Sequence, residues 1–321
     1  MRTGEIAAKS AIKYISSFLV FSVLIVTSHS FSHAQEKKNF ARVTRTAPSK
    51  NAKNSPAAPA GDALKNTADL TPLVRDVLQH ELSAQAADDS LWCYRKLQEK
   101  DGKQELFAAC QTRVAEINRL LAVNDKPLDE KARKAEDQRI AKLLKNREQL
   151  RKQKQQMQED GKQATNMLKM IPDAFLFQQE SNDGDRIKLR FVPNDEFHPS
   201  GYSASVFHHM EGTLTLDLKQ KRLAEISGRL NSEVKFGGGF LGHLDKGGTF
   251  YVMQQDVGSG FWEVTTMDVR MNGKALLFKT IAVRTREVDT DFHPVPQTVT
   301  VEQAAAMTDS EGSTTMASAQ K

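Results

Sequence analysis

The sequence predicts an α+β fold in which one curved antiparallel sheet is covered on one side by helices. Short runs of alternating apolar and polar residues follow one another across tight turns, first from Leu91 to Val123 and again after Pro172. The intervening stretch, from Leu128 to about Met170, has helical spacing and composition. The turns between successive runs are too short for the crossovers that parallel strands need, so the sheet is expected to be an antiparallel meander.

The N-terminus reads as an export signal. Arg2, Lys9 and Lys13 make a positive start relieved only by Glu5, Tyr14 to Val26 is apolar, and Ser32-His33-Ala34 is a small-x-small cleavage site before Gln35. The apolar run is shorter than the roughly 20 residues that span a bilayer. Residues 1–34 are therefore expected to be removed, placing the chain in the periplasm or outside the cell; the alternative is an uncleaved anchor. No Cys follows the apolar run, so lipid attachment at a new N-terminal Cys is not expected. Residues 35–68, with Pro48, Pro56 and Pro59 among Ala, Asn, Ser and Lys, cannot bury enough apolar surface to order themselves and read as a disordered spacer. The folded domain is expected over 69–301, and residues 302–321 read as a disordered tail.

Within the domain, Thr71 is the expected N-cap of a first helix with Pro72 at its first position, and Leu73, Val74, Val77, Leu78 and Leu82 form its apolar stripe. LWCYRKLQEK and KQELFAACQT flank Asp101-Gly102, the chemistry of a type I′ hairpin turn. A third strand, about Glu116 to Val123, ends at Asn124-Asp125. One long helix, about 128–171, then separates the third strand from the fourth, with Asp129 as its cap and Pro172 as its stop. Ala132, Ala135, Ile140, Leu143 and Leu144 line one face, but the middle, KNREQLRKQKQQMQEDGKQ, is almost wholly polar and must project, bend or find a partner. After it, Asp183-Gly184, Lys219-Gln220, Gly258-Ser259-Gly260 and Asn272-Gly273 are the turn signals between strands.

Composition bounds the function. Hydrophobic residues make up 39% and the mean hydropathy is −0.52, describing a polar chain rather than a membrane bundle. The formal charge of +5 and pI near 9.0 lie largely in the spacer and the long helix. Such a basic tract permits peripheral contact with a membrane. No nucleic-acid reader motif is present, so nucleic acid is not an expected partner.

Cys93 and Cys110 fall directly opposite each other if Asp101-Gly102 are the two central turn residues, at a non-hydrogen-bonded position. An exported chain would oxidise that pair, so a Cys93–Cys110 disulfide is expected. A single bulge would break the register and leave two buried thiols.

Motifs for chemistry are weak. Gly237-Gly238-Gly239-Phe240-Leu241-Gly242 fits G-x-G-x-x-G, but no helix follows, so no nucleotide cofactor is expected and the glycines read as a bend between strands. His198, His208, His209, His243 and His293 show no metal-ligand spacing, and the adjacent pair would point to opposite faces of a strand. No metal, catalytic residue or cofactor is nominated. An apolar face remains. Trp92, Tyr94 and Phe107 share one face of the first hairpin, and an Asn272-Gly273 turn would pair Val269 with Leu276 and Met267 with Phe278 on one face of the last. These seven residues either form core or line an apolar cavity for an acyl chain, which Met and Phe suit by repacking.

EGTLTLDLKQKRLAEISGRL, VKFGGGFLGHLDKGGTFYV, GFWEVTTMDVRMNGKALLFKTIAV, DTDFHPV, PDAFLF and LLAVNDKPL together resemble a group of exported bacterial proteins of no assigned function. That group is similar in strand order to the LolA-like superfamily of periplasmic lipoprotein carriers and RseB-type sensors. The resemblance, over about residues 70–298, implies an open half-barrel with helices packed on its concave side and acyl chains bound between. None of the carriers' functional residues is carried over. The expected function is non-enzymatic: binding a lipid or lipoprotein acyl chain as carrier or sensor. The alternative is an envelope interaction module that docks a protein partner through the long helix, and a hydrolase is a third reading.

Overall fold

The structure, a computed structural model, describes residues 69–198, 204–275 and 279–319, with side chains to Ser310. The expected signal and spacer, and the candidate cavity residues Leu276 and Phe278, lie outside the described residues. Among the described residues no helix is long and apolar enough to cross a membrane.

Helix α1 (Thr71–Ala87) has Pro72 in its first turn, where a missing N–H removes no helical bond. The cap is Leu70 rather than Thr71, and the Asp69 carboxylate accepts the Thr71 N–H at 2.9 Å. Val74, Val77 and Leu78 are buried on the expected stripe, and Glu81 is buried with them.

Strands β1 (Leu91–Lys100) and β2 (Lys103–Gln111) pair with Lys100 opposite Lys103 and Cys93 opposite Cys110. Asp101 and Gly102 both have positive φ, the I′ geometry their chemistry favours. The two cysteines form a disulfide with Cα atoms 4.0 Å apart. Strand β3 (Glu116–Val123) turns through Asn124 and Asp125, again at positive φ, into β4 (Lys126–Pro127).

The expected single long helix is two. Helix α2 (Glu130–Lys145) is capped by the Asp129 carboxylate on the Ala132 N–H, as anticipated, and α3 (Arg147–Ala174) starts afresh after Asn146. Asn146, at φ −92° and ψ 80°, leaves the helical region; its Oδ1 accepts the Gln149 N–H at 3.0 Å and caps the new helix. The polar segment therefore bends at a capped break. Pro172 does not stop α3, which runs on to Ala174, where Asn194 satisfies the freed carbonyls of Asp173 and Ala174.

The remaining strands are β5 (Phe175–Asn182), β6 (Arg186–Pro193), β7 (Met210–Asp217), β8 (Arg222–Leu230), β9 (Val234–Phe236), β10 (Gly242–Leu244), β11 (Thr249–Gly258), β12 (Phe261–Ala275) and β13 (Lys279–Val295). All pairs are antiparallel, in the order β4-β3-β2-β1-β13-β12-β11-β8-β7-β6-β5, with β9–β10 attached to the end of β12. Strands β4 and β5 end that order at opposite edges, so the sheet is open.

Two sequence expectations on this sheet are corrected. His208 and His209, expected on a strand, lie in a 3₁₀ turn (Ala204–His209) ahead of β7. Asn272-Gly273 is not a hairpin turn: both residues lie inside β12, with Asn272 opposite Ala282 and Gly273 opposite Ile281. Val269 therefore faces Thr285 and Met267 faces Glu287. The glycine serves a different purpose, since a Cβ at Gly273 would overlap the His243 carbonyl of β10.

Two apolar clusters occupy opposite faces of the sheet, so helices pack on both faces and not on the one side expected from the sequence. The larger joins Val74, Val77 and Leu78 of α1 and Met167, Leu168 and Ile171 of α3 to β5–β8, β11 and β12. The smaller joins Leu91, Cys110 and Ile117 to Ile140 and Leu143 of α2, Leu150 at the start of α3, and Ala304 and Ala305. The last two belong to α4 (Val301–Ala319), formed where a disordered tail was expected. Its start is a reciprocal cap. Thr300 Oγ1 accepts the Gln303 N–H at 3.2 Å, and Gln303 Oε1 accepts the Thr300 N–H at 2.9 Å. Burial of Ala304, Ala305 and Thr308 then holds the helix on β2 and β3.

Candidate functional site

Alternation along β1 puts Trp92, Tyr94 and Lys96 on the face opposite the disulfide. Register carries that face across the sheet: Lys96 stands opposite Asp289, and Glu287, two residues along β13, stands opposite Met267. One face therefore runs from an aromatic end through a charged band to the apolar zone beneath α1 and α3.

At the aromatic end, the Tyr94 ring stacks on Phe292 at 4.9 Å between centroids. Trp92 meets Phe261 and Phe292 edge-on at 6.0 and 6.3 Å. Trp92 and Tyr94 cluster with Ala109, Val257 and Phe292, as expected of residues sharing a face. Phe107, opposite Lys96, is half-buried.

The charged band is the part that sequence spacing did not reveal. Lys96 Nζ lies 2.7 Å from Glu116 Oε1 and 3.5 Å from Glu287 Oε1, with all three side chains under a tenth exposed. Tyr94 Oη donates to Glu116 Oε2 at 2.7 Å and Asn118 Nδ2 to Glu116 Oε1 at 3.0 Å, while Gln98 Nε2 donates to Glu287 at 3.2 Å. Burial alone would pull the Lys96 ammonium down; Glu116 and Glu287, with Tyr94 and Asp289 adding, hold it well above the ordinary lysine range. Burial, reinforced by Glu116, likewise pushes the Tyr94 phenol up. A lysine held this way stays an ammonium at neutral pH, whereas a nucleophilic or basic lysine needs a depressed pKa.

Beyond the band, Val269 and Met271 are buried in the main cluster and Met267 packs against it half-buried. The expected cavity residues are thus divided: Trp92 and Tyr94 lie on one side of the Lys96–Glu116–Glu287 band, and Val269 on the other, with Met267 bordering it. A second polar cluster fastens α1 to the sheet. Arg222 of β8 donates to both oxygens of Glu81 at 2.7 and 3.1 Å, and the Leu223 N–H donates to Glu81 Oε2 at 3.0 Å. The Arg222 guanidinium lies 5.4 Å over the Trp262 ring.

Among the described residues no group of three or more His, Cys, Asp or Glu side chains is placed to hold a metal ion. His209 is hydrogen-bonded to Ser232 at 2.7 Å, and burial, with His208 beside it, lowers its pKa. Gly237–Gly239 is a 3₁₀ turn joining β9 to β10, and no helix follows it.

Local signals for these clusters were faint. Lys96 interrupts the Trp92–Tyr94 face, and Glu81 continues the Val74–Val77–Leu78 stripe of α1. A charge in an apolar period marks a buried ion pair, but its partners are far away in the chain. Comparison with protein-family models, with curated proteins and with solved structures returns no match.

Proposed function

We propose that this is a non-enzymatic envelope protein that binds a lipid or lipoprotein acyl chain between sheet and helices, as a carrier or a sensor. The sheet would act as an open half-barrel, with α1 and the second half of α3 on its concave side. The observation that carries the reading is the methionine content of that zone: Met167, Met210 and Met271 are buried, with Met170 and Met267 half-buried beside them. Methionine repacks around variable apolar shapes at little cost.

The part of α1 ahead of the buried Glu81–Arg222 pair is the element to move, with that pair as its hinge. Its outer contacts, Arg75–Asp173 at 2.6 Å and Asp76–Lys221 at 2.9 Å, are exposed ion pairs of small net value. An acyl chain taking its place regains burial at about 0.8 kcal/mol per CH₂. The Lys96–Glu116–Glu287 band would bound the chain on the β1 side, so Met267 and Val269 would touch it and Trp92 and Tyr94 would not. The resemblance of the sequence to an exported group that is in turn similar to the periplasmic lipoprotein carriers supports the same reading by analogy.

Native mass spectrometry of protein purified from its own envelope tests this. Co-purifying lipid is expected, and Met267→Glu should abolish it. A folded Met267→Glu protein that still carries lipid would overturn the proposal.

A further inference from the structure

Phe240 is 77% exposed and Leu241 44% exposed, side by side at the tip of the β9–β10 hairpin. Isolated exposed apolar residues are ordinary, but here the hairpin beneath them is packed at its base. Val234, Phe236 and Leu244 are buried at the base of the hairpin, and Gly242 pairs with Ala275 at the end of β12. The tip is an apolar wedge on a fixed base.

Behind it basic residues outnumber acidic ones. Lys235, His243 and Lys274 form a single cross-strand row directly behind the tip, and Lys279 pairs with Ala275 at the same end. Further along the same face as Lys274, Arg270 and Arg284 stand directly opposite each other, with Arg286 next on β13. Like charges opposed across strands are destabilising, and Asp268, bonded to Arg270 through both carboxylate oxygens, offsets the Arg270–Arg284 opposition. Acidic neighbours offset much of this: Glu233 lies 3.5 Å from Lys235, Asp268 pairs with Arg270 at 3.0 Å, Asp268 and Glu99 stand opposite Arg286 on its two sides, and Glu233 and Asp245 flank His243. Lys274, Arg284 and Arg286 remain exposed on this face, and Lys279, opposite Ala275, is exposed at the same end on the other face.

We infer that the β9–β10 tip inserts Phe240 and Leu241 into an anionic lipid surface, with the basic face of β12–β13 lying against the headgroups. An aromatic and a leucine ahead of several cations is the arrangement of interfacial membrane attachment, in which apolar insertion and headgroup attraction add. The inference goes beyond acyl-chain binding under α1, because it uses a different surface and a different state of the lipid.

The test is fluorescence of the full-length Phe240→Trp protein mixed with vesicles of phosphatidylcholine and phosphatidylglycerol carrying bromine on the acyl chains. Trp92 and Trp262 are each 3% exposed, and the wild-type protein measured in the same vesicles gives their contribution, so the difference between the two proteins is local to the tip. Bromine should quench the added indole, and omitting phosphatidylglycerol or raising the salt should weaken the effect. Phe240→Ser with Leu241→Ser should lower vesicle partitioning by about tenfold or more, the order expected for exposing two large apolar side chains. An indole at position 240 that bromine does not quench, or partitioning unchanged by the double serine variant, would overturn the inference. Lipid retained in native mass spectra would be unaffected by either result, which keeps the two proposals separable.

Discussion

Glu81 of α1 and Arg222 of β8, separated by 141 residues in sequence, meet as a bidentate ion pair in which the Glu81 side chain has no exposed surface. The carboxylate also takes the Leu223 N–H and the Gln85 side-chain amide at 2.6 Å, so both its oxygens are occupied. Breaking one half strands a buried charge. Glu81→Ala is expected to cost about 3–5 kcal/mol in denaturant unfolding. The joint replacement Glu81→Leu with Arg222→Met should recover most of that, because it leaves no buried charge. A single substitution costing under about 1 kcal/mol would show that α1 is not fastened through this pair.

The Lys96 network sets the alkaline limit of stability. The folded pKa of Lys96 lies above its unfolded value, so its contribution is complete below the unfolded lysine pKa of about 10.4 and is lost as pH rises through the folded value. Tyr94 has the same sign: its phenol is held protonated in the fold, so ionisation favours the unfolded chain above about pH 10. Melting temperature should therefore change little on these groups' account near neutrality and fall steeply in the alkaline range. In ultraviolet titration, Tyr94 should ionise only as the protein unfolds. Full tyrosine ionisation with the fold intact would contradict the buried network.

The disulfide should be structural. Cys93 and Cys110 close a loop of sequence separation 17, and the chain-entropy estimate for a loop of that size is about 3 kcal/mol. Cys93→Ser with Cys110→Ser is expected to lose stability of that order. Non-reducing peptide mapping should recover the two segments as one linked species, and two free thiols would contradict the structure. Met307 of α4 places its sulfur 3.9 and 4.0 Å from the two cysteine sulfurs, so loss of the bridge should also raise hydrogen exchange in α4.

What the sequence made legible follows from how far apart the determinants lie. Asp101-Gly102 and Asn124-Asp125 need left-handed backbone at adjacent positions, so the turn chemistry located two hairpins and the Cys93–Cys110 register with them. The helix break at Asn146 and the start of α4 were also written locally, as Asn146 with Gln149 and Thr300 with Gln303. Composition hid both: one cap lies within a continuous polar run, and the other opens a tail rich in small and polar residues. The buried charges had no such local form. Glu116 and Glu287 reach Lys96 from 20 and 191 residues away, and only the register of β13 on β1 brings Glu287 there.

Asn272-Gly273 is the sharpest test of register, because the same dipeptide would make a hairpin turn at one register and a strand interior at another. In the structure Asn272 has ordinary extended backbone within β12 and is exposed, while Gly273 lies against the β10 backbone. Asn272→Thr should therefore be neutral or slightly stabilising, within about 0.5 kcal/mol, since a β-branched residue suits an exposed strand position. In a type I′ turn the same change would force a β-branched residue to positive φ and destabilise. Gly273→Val should do the opposite: its side chain would displace the His243 carbonyl, detach β9–β10 from β12, and speed exchange at the Gly242 and Leu244 amides. Because a type I′ turn would hold Gly273 at positive φ as well, Asn272→Thr is the deciding variant: a clear destabilisation would place the turn at these residues and refute the β12–β13 register, including the meeting of Met267 with Glu287 on which the charged band depends.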